Sequence, residues 1–230
     1  MFFREKHKSS KVKLPKVPPV PVESVGRPES HIALLGDFFV VVHDLKSVES
    51  LRRNGCFGIL TTKPNSEDVE TQILILMKEE AFFLHFCLQC LTLVNDQDEV
   101  QSTRAIFQRF CSQKKNFIST FVAYQYLKSK KWVIKSGLKF CTDFLLYRES
   151  PSSYHSSYAV FIQSIDSDAL SGTDIQALHR ATEISGKEIL ILKVHASNES
   201  REDCLETKFK NYTVSEVNPS RFTFHPTQST

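Results

Sequence analysis

The stretch Trp132-Val133-Ile134-Lys135-Ser136-Gly137-Leu138-Lys139-Phe140-Cys141-Thr142-Asp143-Phe144-Leu145-Leu146-Tyr147 holds two short apolar runs on either side of a glycine turn. Trp132 to Ile134 and Phe144 to Tyr147 read as strands, because each run is aromatic or branched and too short for a helix. Upstream, Phe117, Phe121, Tyr124 and Leu127 recur at helical spacing, and Lys128 to Lys131 supply the basic turn that suits the negative end of a helix. Downstream, Tyr158 to Gln163 reads as a third strand. Asp174 then caps a helix with Ile175, Leu178 and Ala181 inward, ending at Gly186, and Lys187 to Leu192 is a fourth, nearly all-apolar strand. Helix, strands, helix, strand is the order of an α/β unit in which helices cover a mixed sheet.

Ahead of this unit, residues 31–115 read as a smaller α+β domain, and residues 116–230 as the second domain. Phe38 to Val42 is β-rich and short enough to be a buried strand. Asp44 opens a helix with Val48 and Leu51 on one face, which stops at Asn54-Gly55. Phe57 to Leu60 reads as a strand and 65–74 as a polar loop. Residues 79–93 read as one apolar helix whose first acids, Glu79 and Glu80, suit its positive end, and Arg104 to Phe110 as another. Residues 1–30 read as an extended, solvated tail, with Arg4, Lys6, Lys8, Lys11, Lys13 and Lys16 followed by a cluster of prolines. That charge suits RNA phosphates or a nuclear address, and a plain flexible extension is an equal reading.

Composition narrows the function classes. The 230 residues are 41% hydrophobic, enough for a buried core. Glycine numbers only 7, and neither a Walker motif nor a dinucleotide fingerprint occurs. The net charge of +3 does not announce a nucleic-acid partner, so any RNA site must concentrate its basic residues locally. Cys87 and Cys90 form a C-x-x-C within an apolar run with no second Cys/His pair at zinc spacing, which reads as two thiols in a helix core. Scattered cysteines without a signal peptide indicate a reducing compartment. No apolar run approaches the ~20 residues of a membrane span. The expectation is a soluble intracellular protein with no metal and no cofactor.

Three segments together carry a resemblance. The first is the stretch from Lys130 through Gly137-Leu138-Lys139-Phe140 to Asp143-Phe144-Leu145-Leu146-Tyr147. The second is Tyr154-His155-Ser156-Ser157-Tyr158, and the third Ser185-Gly186-Lys187-Glu188-Ile189-Leu190. In this order and spacing they resemble the tRNA-intron endonuclease family. Trp132, the 79–84 segment and Leu146-Tyr147-Arg148 look like the eukaryotic catalytic subunit assigned to the 5′ splice site. The resemblance implies a restriction-endonuclease-like mixed-sheet catalytic domain after a small α+β domain. It also implies a metal-independent RNA lyase with Tyr147 as base, His155 as acid and Lys187 as electrostatic clamp.

The chemistry needs such a set. RNA is cut when its own 2′-hydroxyl attacks the adjacent phosphorus and expels the 5′-oxygen, leaving a 2′,3′-cyclic phosphate and a 5′-hydroxyl. One group must take a proton, one must give a proton, and one must stabilise charge on the phosphorane. Histidine, with an unperturbed pKa of ~6.5, suits the acid. Tyrosine, with a reference pKa of ~10, is an awkward base, and a nearby ammonium favours its phenolate. Tyr147 either ionises or orients the hydroxyl. Taken singly, a Tyr at a strand end is an ordinary core or interface residue, a His among serines is solvated, and a Lys opening an apolar strand snorkels.

RNA binding is also read from the resemblance, which implies a base held between two side chains. Arg180 fits one jaw. The segment Val214 to Phe222 brings the other, supplied by Phe222 or by Arg221. Lys135, Lys139 and Arg148 are candidate phosphate contacts or solvated charges. Between Tyr147 and His155 the chain lacks the glycine common in the family, although the spacing is kept. The implied substrate is intron-containing precursor tRNA. The implied assembly is a nuclear heterotetramer with a second catalytic subunit and two structural ones. The rival readings are a non-catalytic structural or RNA-binding subunit of the same fold and a self-assembling enzyme of archaeal type.

Overall fold

The computed structural model describes residues 3–8, 30–63, 71–164, 171–183, 186–196, 209 and 211–221. In chain order its strands are β1 (Phe3–Lys8), β2 (His31–Leu35), β3 (Val40–Val42), β4 (Ile59–Lys63), β5 (Thr71–Leu76) and β6 (Leu91–Val94). They continue with β7 (Val133–Ser136), β8 (Phe144–Tyr147), β9 (Tyr158–Gln163), β10 (Glu188–Ala196) and β11 (Tyr212–Arg221). The helices are α1 (Leu45–Gly55), α2 (Lys78–Phe82), α3 (Thr103–Gln113), α4 (Phe117–Ser129) and α5 (Gly172–Glu183).

These strands build two mixed sheets. The first has the order β4-β5-β3-β2-β6, and the second β1-β11-β10-β9-β8-β7. The α/β architecture expected from the sequence is therefore present, with each sheet containing one parallel pair, β2 with β6 and β9 with β10.

Local signals explain most elements. The Asp44 carboxylate accepts from the Ser47 amide at 2.9 Å and caps α1, whose buried residues are Ser47, Val48 and Leu51. The helix ends at Cys56 in the left-handed region, φ 53. α4 is buried on nearly all sides, including Phe117, Phe121, Tyr124 and Leu127. A helix that is apolar all round belongs in an interior, and α4 packs on α2 and α3 on one side and on four strands of the second sheet on the other.

Four expectations change. The buried strand expected over Phe38–Val42 is confined to Val40–Val42, and Phe38 and Phe39 are exposed. The apolar segment 79–93 is not one helix. α2 passes into a π-helical turn, Phe83–Cys87, Gln89 at φ 53 reverses the chain, and Leu91–Val94 pairs in parallel with β2. The run stays apolar across the break, and periodicity does not separate a buried strand from a buried helix. Within the polar segment 65–74, Thr71 onward already belongs to β5, while 64–70 lies outside the described residues. Within 1–30, Phe3–Lys8 is not a free extension but pairs antiparallel with β11, from Phe3 against Arg221 to Lys8 against Glu216. The extended backbone read there meets the otherwise open edge of β11. Residues 9–29 lie outside the described residues.

One continuous core joins the sheets. Phe82 sits at its centre, with the rings of Phe121 at 4.8 Å, Phe86 at 5.3 Å and Phe117 at 5.7 Å between centroids. Phe107, Phe110 and Phe209 complete the cluster. Much of the phenylalanine-rich composition is spent at this joint. Glu79, buried beside it, accepts from Lys114 Nζ at 2.6 Å and Thr120 Oγ1 at 2.8 Å, which ties α2 to the turn before α4 and to α4 itself.

Candidate active site

Three hydrogen-bonded positions define one end of the second sheet. β8 runs antiparallel to β9, with Leu146 opposite Tyr158, and β9 runs parallel to β10, with Tyr158 opposite Glu188. The end of β8 and the beginnings of β9 and β10 therefore lie side by side. Ser157 is the pivot. Its amide donates to the Leu146 carbonyl at 2.8 Å, and its carbonyl accepts from the Glu188 amide at 3.3 Å. Three adjacent strands span about 10 Å at the usual spacing.

The candidate residues branch from this row. Tyr147 directly follows Leu146, His155 precedes Ser157 by two positions, and Lys187 directly precedes Glu188. Tyr147 and Lys187 are half-buried and His155 is exposed. The Lys187 amide donates to the Thr182 carbonyl at 3.2 Å, which fastens the start of β10 to the last turn of α5. The Lys187 ammonium lies 4.2 Å from the centroid of the Phe140 ring.

The segment between Tyr147 and His155 folds without glycine. The amides of Ser153 and Tyr154 both donate to the Ser150 carbonyl, at 3.1 and 3.2 Å, closing a turn over Pro151. No residue from 148 to 155 has a positive φ. A glycine is therefore not required by this backbone.

The predicted RNA contacts separate into groups. Arg180 is exposed on the last turn of α5, at the same end of the sheet as Lys187. β11 ends at Arg221, four residues beyond Val217, and Val217 pairs with Ile191, four residues beyond Lys187. The backbone of Arg221 thus reaches the same end. Phe222 lies outside the described residues. Lys139 and Arg148 are exposed. Lys135 is not available to phosphate, because its ammonium donates to the backbone carbonyls of Cys56 and Gly58. Burial holds its pKa below the usual lysine range, against the pull of the Glu80 carboxylate. Phe140 is the aromatic of the Gly137-Leu138-Lys139-Phe140 turn. Nothing in the spacing pairs it with Lys187.

Neither thiol of the C-x-x-C is reactive in character. Burial pushes both Cys87 and Cys90 up to about 11. Cys87 closes the π-helical turn and accepts from Gln125 Nε2 at 2.9 Å, whereas Cys90 lies beyond the helix, its thiol donating to the Leu84 carbonyl at 3.7 Å. Among the described residues no three His, Cys, Asp or Glu side chains are grouped to hold a metal ion, and no helix is long and apolar enough to cross a membrane.

Residues 117–201 match the family model for the tRNA intron endonuclease, catalytic C-terminal domain. The chain is 34% identical over 178 residues to tRNA-splicing endonuclease subunit Sen2-1 of Arabidopsis thaliana, covering 75% of this chain and 74% of that protein. It is 35% identical over 168 residues to the Sen2-2 subunit of the same plant, covering 73% of this chain and 66% of that one. Subunit Sen2 of Mus musculus is 34% identical over 160 residues, and there the match covers 66% of this chain but only 35% of the mouse protein. The chain thus spans about two thirds of one plant relative and about a third of the mouse relative. The row through Ser157, the matched domain and these relatives agree, and the chain belongs to the tRNA-splicing endonuclease family, of Sen2 type, with that family's catalytic domain over residues 117–201.

Proposed function

We propose that this chain is the catalytic subunit that cuts intron-containing precursor tRNA at the 5′ exon–intron boundary. Tyr147 takes or orients the proton of the 2′-hydroxyl as the 2′-oxygen bonds to phosphorus. His155 gives a proton to the departing 5′-oxygen as its bond to phosphorus breaks. Lys187 stabilises the charge that gathers on the non-bridging oxygens in between. The products are a 2′,3′-cyclic phosphate and a 5′-hydroxyl, and no metal takes part. Arg180 grips an unstacked base, with Phe222 or Arg221 as its counterpart. The chain works in the nucleus beside a second catalytic subunit and two structural ones.

What supports this reading is the backbone row through Ser157, in which the strand ends next to Tyr147, His155 and Lys187 are neighbours. The test is cleavage of an intron-containing precursor by the assembled complex in excess EDTA, followed by analysis of the ends. Cyclic phosphate and 5′-hydroxyl ends are expected. His155→Ala should slow 5′ cleavage at least a hundredfold in single turnover, since general acid catalysis contributes ~10²–10⁴-fold. Affinity for the precursor should change little. Because the second catalytic subunit is intact, the 3′ cut should persist and a 5′ exon–intron fragment should accumulate. Parental 5′ cleavage by this variant would remove His155 from the mechanism, and loss of the 3′ cut alone would reverse the assignment of the splice site.

A further inference from the structure

We infer that Phe140 is a positioning residue that holds the Lys187 ammonium against the scissile phosphate, an inference that rests on the reading of Lys187 as the electrostatic clamp. Phe140 ends the single 3₁₀ turn Leu138–Phe140 in the connection between β7 and β8. That connection enters β8 at Phe144, the end of the strand remote from Tyr147. Lys187 stands at the Tyr147 end. The 4.2 Å approach of its ammonium to the Phe140 ring therefore spans from the start of β10 to the connection between β7 and β8.

The connection is tightly closed. The Gly137 carbonyl accepts from the Phe140 amide at 2.8 Å, the Thr142 amide at 3.2 Å and the Thr142 hydroxyl at 3.3 Å. The Gly137 amide donates to the Asp143 carbonyl at 3.0 Å, and Cys141 turns the chain at φ 55. A Cβ at Gly137 would stand 2.6 Å from the Thr142 carbonyl oxygen and 2.9 Å from the Phe144 nitrogen, both backbone atoms that cannot yield cheaply. Of the three residues in the turn, Leu138 and Lys139 face solvent and Phe140 is half-buried.

An aromatic ring suits this task better than an acid. A lysine side chain has a flexible four-carbon stem, and a clamp must not wander. A carboxylate would hold the ammonium but offset the charge needed by the phosphorane. The negative face of a phenyl ring attracts the cation, carries no net charge and exchanges no proton. The ring itself localises the ammonium without offsetting its charge.

The test compares the parent, Phe140→Leu, Lys187→Ala and the double variant in the assembled complex, by single-turnover cleavage and precursor affinity. Phe140→Leu keeps apolar bulk and removes the ring face. It should slow cleavage about three- to thirty-fold, the range such contacts carry, with affinity within about twofold of the parent. Phe140→Trp should recover most of that loss, and the double variant should cut no more slowly than Lys187→Ala, because residues acting as one unit are not additive. Parental cleavage by Phe140→Leu beside a crippled Lys187→Ala would remove Phe140 and leave the clamp standing. So would losses that multiply in the double variant, or a Trp variant no better than Leu, since either marks a merely structural ring. Parental cleavage by Lys187→Ala would instead bring down the clamp itself.

Discussion

The ammonium of Lys135 donates to the backbone carbonyl of Gly58, fastening β7 of the second sheet to the segment that enters β4 of the first. The Cys56 carbonyl accepts from the same ammonium, and the Gly58 amide donates to the buried Glu80 carboxylate at 3.1 Å. One lysine therefore satisfies two carbonyls and stands near a carboxylate whose pKa burial has raised. Lys135→Met keeps the apolar stem and removes the charge. It should lower stability by ~1–3 kcal/mol, the cost of leaving such groups without their partner. Urea unfolding measures this. Affinity for RNA and its salt dependence should stay parental, whereas a shallower salt slope would return Lys135 to the phosphate contacts.

Lys128 predicts an alkaline signature from the same joint. Its ammonium lies 4.3 Å from the Phe57 ring centroid and 5.7 Å from that of Tyr124. Burial pushes it down to about 8, with Glu80 pulling upward and Lys135 pushing further down. Between about 8 and the ordinary lysine value the unfolded chain binds the extra proton, so this group adds stability as pH rises. Relative to Lys128→Met, the parent should gain on the order of 3 kcal/mol from pH 7.5 to pH 10.5. Denaturant midpoints across that range decide it, and a constant difference between the two proteins would refute the buried ammonium.

Legibility in the sequence followed locality. Asp44 carries its own capping signal, and Tyr158–Gln163 is bounded by polar residues, so α1 and β9 stand where the residues put them. Leu91 to Leu93 read as helix in the sequence because their strand character comes from pairing with β2, a segment far away in the chain. Lys135 looked like a phosphate ligand for the same reason, as its acceptors lie in another domain-sized segment. The site stands between these cases. Tyr147, His155 and Lys187 could be listed from the order of their motifs. The adjacency of the strand ends beside them, however, depends on β8 running against β9 while β10 runs with it, and spacing alone does not encode strand direction. The link from Phe140 to Lys187 joins two segments far apart in the chain, and no local pattern encodes it.

Asp143, which opens the motif ending in Tyr147, predicts an acid signature of opposite sense. Its carboxylate accepts from the Ile162 amide at 2.8 Å while its own amide donates to the Val160 carbonyl at 2.9 Å, so it seals the junction of β8 with β9. Burial raises its pKa against the pull of that amide. Asp143→Ala leaves the Ile162 amide without this acceptor and should cost ~1–3 kcal/mol, whereas Asp143→Asn retains an oxygen there and should cost less. Just above the ordinary aspartate range the folded chain holds the proton that the unfolded chain has released. The contribution of Asp143 is therefore complete at the acid end and declines as pH rises through its folded value. The stability lost in Asp143→Asn should thus be larger at pH 4 than at pH 7. A loss that shrinks on acidification would mean that the carboxylate is stabilised, not strained, by its burial beside β9.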